Sequence, residues 1–159
     1  MTKQLFYEDV EVGSEIPCVT KCPTTRQMVK WVGVATDYHE IHYDKDFAQS
    51  AGLPGVVVQG RLVLSFLCQL ITDWIGEQGS LKKITGSYKG IMFPGEDLTC
   101  NGKVTKKYVG DGEHCVECDI WVENPRAEKT VVGTAIVTMP ARTALCYQHV
   151  SAPKHLKSD

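Results

Sequence analysis

The chain has 159 residues, 43% of them apolar and 23% charged, with a formal net charge of -2. These figures exclude a disordered or fibrous chain and suit one domain with a sizeable core. The near-neutral charge excludes a broad basic face, and no apolar run reaches the roughly 18 residues of a membrane span, so neither nucleic acid nor membrane is expected as a partner.

The opening stretch, Met1 to Asp9, carries no apolar signal core, so a cytoplasmic location is the expectation. A short strand is predicted over Ile16 to Cys22. Thr24 and Thr25 stand where a helix N-cap belongs, ahead of a helix from Arg26 to Ala35 that turns Met28, Val29, Val32 and Trp31 toward a core. Residues 37–44, Asp-Tyr-His-Glu-Ile-His-Tyr-Asp, keep neither helical nor strand period and crowd ionisable groups together. Asp44 reads as the N-cap of a short helix ending near Ala51-Gly52, and Leu53-Pro54-Gly55 as a turn. The next helix, Arg61 to about Gly76, is apolar nearly all round, as a helix buried in a protein core is. Segments near 82–92, 97–108, 113–123 and 129–139 are rich in Val, Ile, Thr and Tyr and are separated by turn residues, the spacing of antiparallel strands. From Pro140 the periodicity is lost. The expectation is one domain over 1–139 and a loosely ordered tail over 140–159, of α+β class, with a curved antiparallel sheet wrapped around one long buried helix.

The seven cysteines are odd in number and scattered, which suggests reduced thiols. Cys115 and Cys118 form a C-x-x-C, but on a strand residues three apart face opposite ways, and no second pair has zinc-site spacing. No metal and no cofactor is expected.

Two clusters carry chemistry. Asp37 and His42 flank a non-helical loop that lets both face one cleft, where a carboxylate and an imidazole around one water make an acid–base pair. Gln59-Gly60 opens the buried helix, where the free backbone N–H of Gly60 and the helix dipole favour developing negative charge. Residues alone leave a bland alternative open: a helix-ending Asp, a capping His and a packing glycine.

Asp37-Tyr38-His39-Glu40-Ile41-His42-Tyr43-Asp44-Lys45-Asp46-Phe47-Ala48, followed by Ala51 through Gly60, resembles the hydratase motif of MaoC-like dehydratases, which include the (R)-specific enoyl-CoA hydratases. The usual form runs Asp-x-Asn-Pro-Ile-His-x-Asp-x-x-Phe-Ala, then an apolar run closing in His-Gly. Phe93-Pro94-Gly95-Glu96-Asp97 and Tyr7-Glu8-Asp9-Val10-Glu11-Val12-Gly13 are also similar to family stretches, and the resemblance spans about residues 6–139. It implies a hot-dog fold and reversible addition of water across a 2-enoyl-CoA thioester. Asp37 and His42 are then the catalytic pair, and the Gly60 N–H polarises the thioester carbonyl.

Ser65 is expected to help order the site, with Gln59, Tyr38, Tyr43 and Lys89 toward the substrate; Arg61, Lys82 and Lys83 join Lys89 as candidates for the CoA phosphates. His39-Glu40 and Gln59 depart from the family's Asn-Pro and His. Alternatives on the same fold are a carrier-protein 3-hydroxyacyl dehydratase, an acyl-CoA thioesterase, for which the long helix offers only Asp73, and a non-catalytic partner subunit. Family sites lie at subunit interfaces, so the expected assembly is a homodimer or higher homo-oligomer, with a heteromer as the variant.

Overall fold

A computed structural model describes residues 4–142. Six antiparallel strands form one sheet: β1 (Glu15–Lys21), β2 (Ser80–Ile84), β3 (Ser87–Tyr88), β4 (Leu98–Gly110), β5 (Glu113–Glu123) and β6 (Lys129–Thr138). Their spatial order is β1-β4-β5-β6-β2, with β3 also on β6, so the sheet is open, with β1 and β2 at its edges. Three helices lie between β1 and β2: α1 (Thr25–Ala35), α2 (Lys45–Ser50) and α3 (Gly60–Ile75). No helix among the described residues is long and apolar enough to cross a membrane.

The local chemistry accounts for the elements. Thr24 caps α1, its side chain accepting from the Gln27 N–H, and the left-handed Thr36 ends it. Asp44 caps α2 by accepting from the Phe47 N–H. In α3, Leu62, Val63, Phe66, Leu67, Leu70, Ile71 and Ile75 are all buried, and the helix packs against β1, β2, β4, β5 and β6. Alternation on the central strands supplies the facing layer: Leu98, Cys100 and Val104 on β4, then Val116, Cys118, Ile120 and Val122 on β5. Burying each large side chain contributes about 1.5–3 kcal/mol, so α3 is the main anchor of the fold.

Three expectations need adjustment. The strand expected over 82–92 is broken into β2 and β3. The register against β6 shifts within β2, between Leu81 and Lys83, and from Lys83 onward β2 and β3 share one register; at Thr85-Gly86 the backbone closes on Gly133, where a Cβ would collide with the Thr85 carbonyl oxygen. Thr85 instead bonds Thr134 through its N–H and its hydroxyl. The chain leaves the sheet after Tyr88, with the Lys89 and Gly90 N–H groups both donating to the Thr130 carbonyl. Val29, expected inward, is exposed; Met28 and Val32, four apart, carry the inner stripe of α1, and a residue one step from Met28 is turned off it. Of the segment expected as a tail, Pro140, Ala141 and Arg142 pack on the opening stretch: the Tyr7 N–H donates to the Pro140 carbonyl, Ala141 is buried, and Arg142 pairs with Asp9. Residues 143–159 lie outside the described residues, Cys146 among them.

Candidate active site

The segment from Asp37 to Gly60 crosses from the end of α1 to the start of α3, and backbone bonds fix it at both ends. The Asp37 N–H donates to the Val32 carbonyl on the last turn of α1. The Glu40–His42 turn is capped by the His39 ring, which accepts from the Ile41 N–H at 3.4 Å. The Ile41 carbonyl accepts from the Val57 N–H, and the Met92 carbonyl accepts from the Val58 N–H. Residues 57–58 are thereby clamped between the turn and the stretch after β3.

His42 is oriented by this clamp. Its Nδ1 lies 2.7 Å from the Val57 carbonyl oxygen. A carbonyl only accepts, so Nδ1 carries the proton and donates it. In the neutral ring Nε2 then holds the lone pair, 3.9 Å from Asp37 Oδ2. The imidazole is mostly buried and the carboxylate about one-third exposed.

Asp37 and Gly60 share one cleft of about 260 Å³, lined also by Val57, Val58, Arg61, Tyr88, Gly90, Ile91 and Met92. Gly60 is the first residue of α3, so its N–H has no acceptor within the helix. An ideal Cβ there would stand 2.7 Å from Tyr88 Cε1, closer than real side chains approach, so any side chain at 60 would have to displace the ring.

Of the other expected residues, all but Arg61 fall outside the lining of this cleft. Gln59 is fully buried; its Nε2 donates to the Met28 carbonyl at 3.2 Å, while Oε1 has no partner among the described residues. It ties α1, which leads into Asp37, to the start of α3. The Ser65 hydroxyl donates to the Leu62 carbonyl at 2.6 Å, and Ser65 lines a groove with Trp31, Leu62 and Gln69 in place of the Asp37 cleft. The Tyr43 hydroxyl donates to the Tyr38 carbonyl; both rings are exposed, and Tyr43 lines a wider, open groove with Lys45, Val56 and Phe93. Lys89 is exposed, as is Lys83. Lys82 pairs with Glu113 at 2.7 Å. Arg61 is the one expected cation on the cleft wall. Asp73 is exposed near the far end of α3.

Two features escape sequence reasoning. Tyr88 and the Val57 carbonyl act through the chain crossing that brings them there. The glycine at 60 is the single sequence trace of the ring that faces it.

Burial pushes the Cys100 thiol up to about 11 and the Cys118 thiol up to about 12. Both stay protonated at neutral pH and are poor nucleophiles or ligands. Among the described residues no group of three or more His, Cys, Asp or Glu could hold a metal ion.

The family model described as "MaoC like domain" matches residues 9–124. "Enoyl-CoA hydratase 2, peroxisomal" of Arabidopsis thaliana is 34% identical over 64 residues, covering 39% of this chain and 21% of that protein. "Fatty acid synthase subunit beta" of Aspergillus oryzae is 33% identical over 69 residues, covering 42% of this chain and 3% of that protein. The chain spans between 3% and 34% of the length of the curated relatives it matches. Among solved structures, the R-hydratase PhaJ1 from Pseudomonas aeruginosa superposes with a TM-score of 0.80 at 21% identity, over 87% of this chain and 88% of that one. The fold is thus the hot-dog fold of that hydratase, an open antiparallel sheet against one long helix.

Proposed function

The chain belongs to the MaoC-like domain family, and from that premise we propose that it adds water reversibly across the double bond of a 2-enoyl-CoA thioester. The observation that carries this reading is that Asp37 and the α3 N-terminus at Gly60 line one small cleft, with His42 Nε2 standing 3.9 Å behind the Asp37 carboxylate.

The 3.9 Å between His42 Nε2 and Asp37 Oδ2 is too long for a direct hydrogen bond, and it suits two groups that share one substrate water. In hydration the water oxygen bonds to C3 and gives up one proton to this pair. The C2=C3 electrons move toward C2 and onto the thioester oxygen. The Gly60 N–H and the positive end of the α3 dipole stabilise the negative charge gathered there. The pair returns a proton to C2, and the carbonyl re-forms. Dehydration retraces these steps. The Val57 carbonyl serves by holding His42 in the tautomer whose Nε2 can accept. Arg61 on the cleft wall suits a CoA phosphate, whose charge a guanidinium can meet with two parallel bonds.

The match to a fatty acid synthase subunit favours a second reading of the thiol partner, a carrier-protein thioester with the same acyl chemistry. A thioesterase needs a carboxylate poised at the carbonyl carbon, and Asp73 is not among the residues that line the cleft. The open β2 edge of the sheet supports assembly with a second chain, as a homodimer or higher homo-oligomer or with a related subunit. The domain takes in residues 4–142 on this reading, since 140–142 are tied to the opening stretch.

A hydration assay tests the proposal. Crotonyl-CoA is expected to lose its enone absorbance, and chiral analysis of the product gives the face of attack. Release of free thiol without hydration would replace the proposal with a thioesterase.

A further inference from the structure

Tyr88 sits on β3, two residues long, and its ring is the part of the sheet nearest the start of α3. Its backbone is held by pairing with Val131, and the two following N–H groups both anchor to the Thr130 carbonyl. The ring is therefore carried on backbone that the sheet holds. One side of it is open, at 49% exposure; the other fills the space that a side chain at residue 60 would occupy. It lines the same cleft as Asp37 and Gly60, whose remaining walls, Val57, Val58, Ile91 and Met92, are apolar.

The size of that cleft decides what it can hold. Small-molecule sites usually enclose about 300–1,000 Å³. This one holds about 260 Å³. A thioester carbonyl with a few carbons fills it, and the apolar walls receive those carbons without an unpaired polar group. The Tyr88 ring is one of its walls, beside Gly60.

Building on the hydration reading above, we propose that Tyr88 closes the acyl end of the cleft and makes this a site for short 2-enoyl groups. Each methylene that a site admits or refuses changes kcat/KM by about 10–200-fold, so a wall at this point leaves a large signature.

The test compares the native chain, Tyr88→Ala and Tyr88→Phe on crotonyl-CoA and 2-octenoyl-CoA. Binding of the unreactive butyryl-CoA and octanoyl-CoA is measured beside it by calorimetry. The native chain is expected to favour the four-carbon ester by at least about tenfold in kcat/KM. Tyr88→Ala should raise the octenoyl-to-crotonyl ratio by at least about tenfold. Tyr88→Phe, which keeps the ring, should retain the native order of preference. Equal handling of both lengths by the native chain overturns the inference, as does an equal loss on both esters in Tyr88→Ala. If the native chain hydrates neither ester, the hydration reading fails by itself. The binding ratio then decides the wall: butyryl over octanoyl, reversed or levelled by Tyr88→Ala, upholds it, and no discrimination overturns it.

Discussion

The buried helix with its sheet and the segment from Asp37 to Gly60 are built on opposite plans. Along α3 seven buried residues repeat one kind of contact, and each is backed by many neighbours. The site segment rests on a few single hydrogen bonds to backbone carbonyls: Val57 for His42, Ile41 for Val57, Met92 for Val58 and Met28 for Gln59. The first plan spreads stability over many side chains. The second leaves the Asp37 carboxylate without a backbone partner among the described residues and ties the His42 ring by one bond, to the Val57 carbonyl. Stability and activity should therefore respond to different residues.

The largest effect belongs to the site. Asp37→Asn and His42→Ala are each expected to slow crotonyl-CoA hydration by at least about 100-fold, with the melting temperature of Asp37→Asn close to the native one and that of His42→Ala lowered by the loss of its bond to the Val57 carbonyl. A fall in the melting temperature of Asp37→Asn as large as that of a core variant would break the contrast. Next comes the core. Leu67→Ala should cost about 2–5 kcal/mol in denaturant titration, while the rate per folded molecule stays near native. A smaller effect is expected where the two regions meet. Gln59→Met conserves volume and removes an unpartnered buried oxygen, so its stability change should stay within about 1.5 kcal/mol by the same titration.

The smallest effect concerns the sheet cysteines. Their thiols are raised in the fold to about 11 and about 12 from an ordinary 9.0. Above about pH 9 the unfolded chain releases protons that the folded chain retains, so stability is present at neutral pH and falls as pH rises through that point. Cys100→Ala together with Cys118→Ala should flatten this alkaline slope, as melting temperature against pH will show. At pH 8, iodoacetamide should label the exposed Cys18 and Cys22 and spare the buried pair.

The same contrast explains what could be read from the residues. The apolar run of α3, the Thr24 and Asp44 caps and the alternation on β4 and β5 are local, so the sequence displays them. The break between β2 and β3 is not local: it depends on Thr85 meeting Gly133 across the sheet. Nor is the ring of Tyr88 over Gly60, which two distant segments make together. The motif around Asp37, His42 and Gly60 was legible as a family resemblance, while periodicity offered only an irregular loop. The placement of Ser65 in another groove shows the limit of spacing along one helix: residues five apart on α3 face different surroundings.

In the proposed mechanism Asp37 and His42 act together on one water. Its most direct test is the crotonyl-CoA hydration rate of the native chain, Asp37→Asn, His42→Ala and the double variant, measured side by side. Two groups working as a unit predict an active native chain and a double variant no slower than the worse single one. A native chain without hydration activity, or a double loss equal to the product of the two single losses, would contradict it.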